Sequence, residues 1–488
     1  MQYGFVIDQD ACIGCHACTV ACKAENDVPV GGFRTSVKYV ETGKFPAVKR
    51  SFLVQRCNHC TNPPCVAICP VGALTKRADG IVDVDRDLCI GCRACMQACP
   101  YDALYLNEDL GAVEKCHFCA HRIEKGLQPA CVTVCPVGAI IPGDFHDPES
   151  RVSLISKAKV LSARRMEQET GPNVRYIGAS EIALEPGSAE KPPMYIWSQR
   201  REGRPEAWPV ATEPDAREVL NSEPRIEWGW TVALYLLTKG IAGGAAIVAP
   251  FLFLLGSGGT RWWAPEALAV LLTLVTVFLL VEDLAKPTHF MKLFTRPNWN
   301  SWLVKGGIVL TAFGGVSAAI LLLGLTGRIG QIGLVEELRW GNAVLGASAA
   351  GYTAFLFAQC KGRDLWESRL LLPHLLVQAV LCGSVVLMPF GAGSFGVAAV
   401  FGAAVLAHLG FAWHEGHRAE TENARQAAGF LTSLRLGPVS MLTASAALLV
   451  LAVATAFAVP AAAWVPAFAG LFLYEAAFVR AGQLPTLS

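Results

Sequence analysis

Cys89-Ile90-Gly91-Cys92-Arg93-Ala94-Cys95-Met96-Gln97-Ala98-Cys99-Pro100 is a C-x2-C-x2-C-x3-C-P run. Two intervening residues let successive thiolates curl around one iron–sulfur cube, and the fourth cysteine of such a run reaches a neighbouring cube. One run therefore predicts another. Three further groups are present: Cys12, Cys15, Cys18 and Cys22; then Cys57, Cys60, Cys65 and Cys69 before Pro70; then Cys116, Cys119, Cys131 and Cys135 before Pro136. Asp8-Gln9-Asp10-Ala11-Cys12-Ile13-Gly14-Cys15 resembles Asp85-Arg86-Asp87-Leu88-Cys89-Ile90-Gly91-Cys92, and Cys69-Pro70-Val71-Gly72-Ala73 recurs at Cys135-Pro136-Val137-Gly138-Ala139. Groups one and two thus repeat as groups three and four. Zinc is the competing reading, but four-thiolate zinc sites come as two pairs rather than runs of four with a trailing proline. Sixteen cysteines at four per cube predict four [4Fe–4S] clusters and no [3Fe–4S] centre.

With 488 residues, 53% hydrophobic and only 17% charged, the protein is too apolar for a soluble one of ordinary composition. A formal net charge of +1 leaves no basic excess for a nucleic-acid partner. Of the eighteen cysteines, Cys360 and Cys382 stand alone in apolar stretches, and the rest lie in the clustered groups, which indicates metal ligation instead of disulfides. Met1–Asp8 lacks a basic region followed by an apolar core, so no signal peptide is expected.

On these motifs, residues 1 to about 180 resemble the four-cluster iron–sulfur subunits of the complex iron–sulfur molybdoenzymes, such as dimethyl sulfoxide, polysulfide and formate oxidoreductases. The likeness includes the C-x2-C-x4-C-x3-C form of group two, the long gap in group four, and the trailing Gly171-Pro172-Asn173-Val174-Arg175-Tyr176. It implies two nested ferredoxin modules and a separate molybdopterin-containing catalytic subunit. It also implies the ligand sets: Cys12, Cys15, Cys18 and Cys135; Cys22, Cys116, Cys119 and Cys131; Cys57, Cys60, Cys65 and Cys99; and Cys69, Cys89, Cys92 and Cys95. Lys23 stands where the other groups have proline, a change in the local turn only.

The expected fold is an α+β double ferredoxin-like domain over residues 1–183, a polar linker over 184–228, and an all-α eight-helix transmembrane bundle over 229–488. The linker carries Pro186, Pro192, Pro193, Pro205, Pro209, Pro214 and Pro224 among charged residues. Eight apolar stretches of membrane-spanning length follow, roughly 230–255, 265–281, 301–324, 341–360, 370–390, 393–413, 438–459 and 461–480. Loops on the cluster side would hold Lys286, Lys292, Arg296, Lys361, Arg363, Arg369, Arg418, Arg425, Arg435 and Arg480, against Arg261, Arg328 and Arg339 opposite. That imbalance predicts a multi-pass protein of a bacterial-type inner membrane with its cluster domain in the cytoplasm.

Trp228-Gly229-Trp230-Thr231-Val232-Ala233-Leu234-Tyr235, Asp283-Leu284-Ala285-Lys286-Pro287, Arg296-Pro297-Asn298-Trp299-Asn300-Ser301-Trp302 and Gly351-Tyr352-Thr353 resemble the quinone-reactive membrane anchors of polysulfide and cytochrome-linked nitrite reductases. Such anchors are haem-free and exchange electrons between a line of clusters and quinone in the bilayer, with membrane lipid as their surroundings. Quinone reduction takes up protons as well as electrons, so titratable residues in or near the spans are candidates. Glu282, Asp283 and His289 form the candidate group on the cluster side, with Tyr235 and Lys239 on the first span and Lys305 and Glu475 on later ones. The structural alternative is an interfacial cap in which Asp283 pairs with Lys286 or Arg296, and a buried Lys239–Glu475 ion pair. His374 and His408 are more consistent with helix hydrogen bonding than with a bis-histidine haem, so no haem is expected.

Two functions fit these readings. One is an electron-transfer subunit joining a catalytic partner to the quinone pool. The other is a component of a redox-driven proton-translocating complex with a cytochrome partner, using Lys239, Lys305 and Glu475.

Overall fold

The computed structural model describes residues 1–185, 189–190, 213–220, 226–254, 261–326, 332–418 and 421–487. Arg328 and all the linker prolines except Pro214 lie outside these residues.

The protein opens with strand Tyr3–Asp8, whose Phe5, Val6 and Ile7 are fully buried. It pairs antiparallel with Ile140–Asp144, in register from Tyr3 opposite Asp144 to Ile7 opposite Ile140, and parallel with Val174–Ile177. This pairing is the physical basis of the nesting, because it brings the first cysteine group beside the strand that follows Cys135. Between those ends lie two antiparallel hairpins, Leu74–Lys76 with Val82–Val84 and Leu104–Asn107 with Ala112–Lys115. A second sheet pairs Thr35–Thr42 with Lys49–Arg56.

The sequence duplication is repeated in the backbone. His16 and Arg93, at matching positions, both take φ 60° in the left-handed region, and each precedes a short helix carrying the next cysteine. Gly91 has φ +70°, and a Cβ there would lie 2.4 Å from Ala285 Cβ of the membrane half, so only glycine fits.

The segment 184–228 is not a linker throughout. Glu213–Leu220 forms a strand antiparallel to Thr35–Thr42, and Ala189–Glu190 pairs with it in turn. Arg217 on this strand shares Glu41 with Arg50, at 2.6 Å for the Arg217 pair.

The membrane half contains the long helices α1 (Trp230–Leu254), α2 (Ala264–Glu282), α3 (Trp302–Leu325), α4 (Ile332–Ala358), α5 (Leu371–Leu387), α6 (Phe395–His417), α7 (Met441–Ala458) and α8 (Trp464–Gln483). Among the described residues, seven helices are long and apolar enough to cross a membrane, all of these except α4. Helix α4 begins nine residues before the expected span and carries Glu336, Glu337 and Arg339 in that extension. Arg339 is buried against Glu266 of α2 at 2.6 Å, so its charge is neutralised inside the protein.

Helix α1 is the hub, packed against α2, α4, α5 and α8. A Cβ at Gly244 would lie 1.9 Å from the Ala379 carbonyl oxygen of α5, an approach only a small residue permits.

The cluster domain sits directly on these helices. Arg363 is buried, paired with Asp102 at 3.4 Å, and donates to the carbonyls of Gln483 and Pro485 at 2.9 and 3.0 Å. Leu487 N–H donates to Asp102, and Arg164 donates to the Leu487 carbonyl. Gln97 of the Cys89–Cys99 run donates to Gln483 at 3.0 Å. Arg363→Leu would remove the ion pair to Asp102 and the donor to the Gln483 and Pro485 carbonyls. We expect it to cost about 3 kcal/mol, read as a lower thermal midpoint of the detergent-purified protein; an unchanged midpoint would refute this account of the seat.

Candidate functional site

The sixteen grouped thiols gather into four sets of neighbours. Cys12 faces Cys15 and Cys135, and Cys18 faces Cys12. Cys22 faces Cys119 and Cys131, and Cys116 faces Cys22 and Cys131. Cys57, Cys60, Cys65 and Cys99 form the third set, and Cys69, Cys89, Cys92 and Cys95 the fourth.

Thiols of successive sets also approach one another. Cys18 faces Cys131, Cys116 faces Cys57, and Cys95 faces Cys65, so the sets line up first to fourth.

The residues around these thiols suit iron–sulfur cubes. Burial pushes the Cys22, Cys92 and Cys99 thiols up to about 12, so bare thiols here would stay protonated. Binding as thiolates needs a buried counter-charge, which iron supplies. The fourth set lines a small pocket with apolar walls from Val71, Leu74, Val84, Ile90 and Val113. Backbone N–H groups of His59 and Ala139 point at Cys57 Sγ and Cys135 Sγ, at 3.5 and 3.3 Å. Such N–H to sulfur bonds tune cluster potential.

Arg56 lies between the first two sets, buried over the Phe5 ring and 3.2 Å from Cys131 Sγ. Burial works against its charge, but Cys131, Cys116 and Cys18, once ionised as ligands, outweigh burial and shift its pKa upward. It is a fixed cation beside anionic ligands. No local pattern announces it, because the contact spans 75 residues.

At the other end, the loop between α2 and α3 grips the fourth set. Asn298 donates to the carbonyls of Val66 and Cys69 at 3.2 and 2.8 Å, and its own N–H meets the Pro70 carbonyl. Ser301 donates to Ile68 O at 2.6 Å. Lys286 N–H meets the Ile90 carbonyl, and His289 Nδ1 lies 3.2 Å from Cys89 O.

The predicted quinone residues separate into two groups. Glu282 is not buried, and His289 faces the cluster loop with Lys292 at 3.2 Å, so neither points into the helices. Asp283 does cap the interface, but its partners are Arg93 and Thr231 rather than Lys286 or Arg296. Arg93 donates to its carbonyl at 2.7 Å, and Thr231 to its carboxylate at 3.2 Å.

Tyr235 and Lys239 are buried deeper on α1. The Lys239 ammonium donates to Thr353 on α4 and lies 4.5 Å over the Tyr352 ring, so it does not form the expected ion pair with Glu475. Lys305 stacks over Trp302 at 4.6 Å. Tyr352 and Thr353 belong to the Gly351-Tyr352-Thr353 motif, to which the sequence alone attaches no role; their position opposite Lys239 supplies one.

The basic residues that set the expected orientation also have local work. Lys286, Lys292 and Arg363 bond to Arg86, Asp87 and Asp102 of the cluster domain. Part of the charge asymmetry therefore serves docking.

Comparison with known proteins matches the description "Polysulphide reductase, NrfD" over residues 218–481, more than half of the sequence, with "4Fe-4S dicluster domain" over 48–145 and "4Fe-4S binding domain" over 3–24. The B subunit of tetrathionate reductase from Salmonella typhimurium is 43% identical over 202 residues, covering 41% of this protein and 80% of that one. The B component of polysulfide reductase from Wolinella succinogenes is 43% identical over 161 residues, 32% of this protein and 84% of that one. The B subunit of selenate reductase from Mesobacillus selenatarsenatis is 39% identical over 213 residues, 36% and 72% respectively.

Removing the buried cation should make electrons less welcome nearby. In Arg56→Gln, the potential of the centres held by Cys18 and Cys131 should fall by several tens of millivolts. An EPR-monitored redox titration checks this, with the fourth set's centre as the unshifted internal reference.

Proposed function

This protein belongs to the polysulphide reductase NrfD family and, through its amino-terminal half, to the iron–sulfur B subunits of reductase complexes; on that premise we propose that it carries electrons between a catalytic partner and the quinone pool. The observation that supports this most directly is the single-file order of the four cysteine sets, with the fourth seated on the loop between α2 and α3.

Held by those sets, four [4Fe–4S] clusters would supply one-electron carriers. The protein's part is to space them, bury them and fix the ends of the line. At the far end Cys15 is exposed beside Ile13 and Val20, which are 56% and 64% exposed, a face suited to a partner. The relatives are named as subunits of tetrathionate, polysulfide and selenate reductases, and their likeness favours a molybdopterin-containing oxidoreductase as that partner.

At the near end, the quinone headgroup would lie between α1, α2 and α4. Lys239 offers a cation to a reduced oxygen, held in place by Thr353. Tyr235 and Asp283 lie between it and the fourth cysteine set, so they are placed to orient the headgroup and to hold a proton beside it. Glu282 and His289 have no part at this position; His289 instead steadies the Cys89 loop.

Helix α4 completes the count of eight spans in this reading, since its Arg339 is paired internally with Glu266. The basic residues not engaged in docking still favour the cluster side as the cytoplasmic one.

The purified complex should contain molybdenum and show four cubane centres by EPR after dithionite reduction. Lys239→Met should lower quinone-linked turnover at least about tenfold, with cluster signals intact. Full turnover in that variant would refute the headgroup position, and a cubane count other than four would refute the wire.

A further inference from the structure

The second half of the helical bundle holds a polar array that the quinone reading leaves unused. His374 of α5 and His408 of α6 are both completely buried. His374 Nε2 lies 2.8 Å from His408 Nδ1, and His374 Nδ1 lies 2.9 Å from Glu415 Oε1. Tyr474 of α8 donates to the other oxygen of Glu415. The remaining nitrogen, His408 Nε2, is buried and without a hydrogen-bond partner among the described residues.

Buried imidazoles and carboxylates in a membrane bundle are costly, and their presence points to a task. A structural role would be met by one histidine satisfied on a helix carbonyl. Here the three groups are joined in series, with an open nitrogen at one end.

Their depths differ in a useful way. Glu415 is two residues from the cluster-side end of α6, while His408 lies nine residues from that end, about 14 Å into the bundle. The array therefore leads from near the cluster-side surface to the interior.

It also adjoins the helices around α1. Gln378 of α5 lies 3.5 Å from His374 Nε2 and hydrogen-bonds to Glu475 of α8, and Glu475 is the charged neighbour of Lys239 on α1. The titratable groups facing the array are Tyr474 and Glu475 from α8, both beside Glu415, while Lys239 of α1 and Cys382 of α5 face Glu475 in turn.

We propose that His408, His374 and Glu415 form a proton relay serving the quinone chemistry of the neighbouring helices, a proposal that rests on the quinone reading above. Conversion of quinone to quinol takes two electrons, delivered through the cysteine-bound line, and two protons. In the relay each ring gains one proton and loses one: His408 takes a proton at Nε2 and passes one from Nδ1 to His374 Nε2, while His374 passes one from Nδ1 to Glu415. The reverse sequence carries protons inward. Tyr474 and Gln378 position the carboxylate and the central ring.

The test uses the intact complex. Glu415→Gln keeps the shape and the Tyr474 bond but cannot exchange a proton. Quinone turnover should fall on the order of a hundredfold, dithionite reduction of the clusters should be unchanged, and a carboxyl band in the redox-induced infrared difference spectrum should vanish. His408→Gln, should the first variant not assemble, should lower turnover similarly and raise the solvent isotope effect. Wild-type turnover in both variants, with the infrared band retained, overturns the relay and leaves the quinone reading standing. A wild-type complex that reduces its clusters but not quinone overturns the quinone reading, and the relay with it.

Discussion

Asn298 lays one side-chain amide against the carbonyls that end the Pro64–Ile68 helix, and much of the molecule depends on that contact. Those carbonyls have no partner within so short a helix, and they belong to the turn that places Cys65 in the third set and Cys69 in the fourth. A residue of the membrane half thereby finishes the secondary structure of the cluster half. Ser301 does the same for Ile68, and Arg93 reciprocates by capping α2 at Asp283. Cluster geometry and membrane seating are consequently one problem for this protein.

The same reciprocity explains the burial gradient among the helices. Helix α1 is largely enclosed, while α3 and α7 bury only 28% of their apolar windows. Without a hydrophobic drive between helices in lipid, close approach must come from small residues and polar contacts. Gly244 gives the first, and the Thr238–Thr276 bond at 2.8 Å between α1 and α2 gives the second. The polar groups concentrate around α1 and α5, where the two halves of the bundle meet.

Much of this was legible in the residues. The cysteine spacing and its duplication specify the turns, as the matching φ of His16 and Arg93 shows. Long apolar runs located the helices within a few residues, α4 excepted. What escaped was carried by contacts between distant segments. Arg93 to Asp283 spans 190 residues, and nothing local marks it. The strand Glu213–Leu220 is charged and contains Pro214, so its own pattern reads as loop; it is a strand because Thr35–Thr42 offers an open edge. The earlier start of α4 is likewise tertiary, since Glu266 neutralises the arginine that made the segment read as loop. His374, His408 and Glu415 come from two helices and were visible only as isolated polar residues in apolar surroundings.

The cluster domain is tied to the membrane helices at the start of α1 and at the end of α8. Arg93 donates to the Glu227 carbonyl before α1, and Asp102 accepts from the Leu487 N–H after α8. Docking is therefore intramolecular, and its effective concentration is set by covalent connection instead of by expression level. Contacts too weak to hold two separate subunits together would suffice here. The stoichiometry of the two halves is fixed at synthesis, and the interface is free to diverge toward polar, water-exposed contacts such as Lys286 and Lys292 without risk of dissociation.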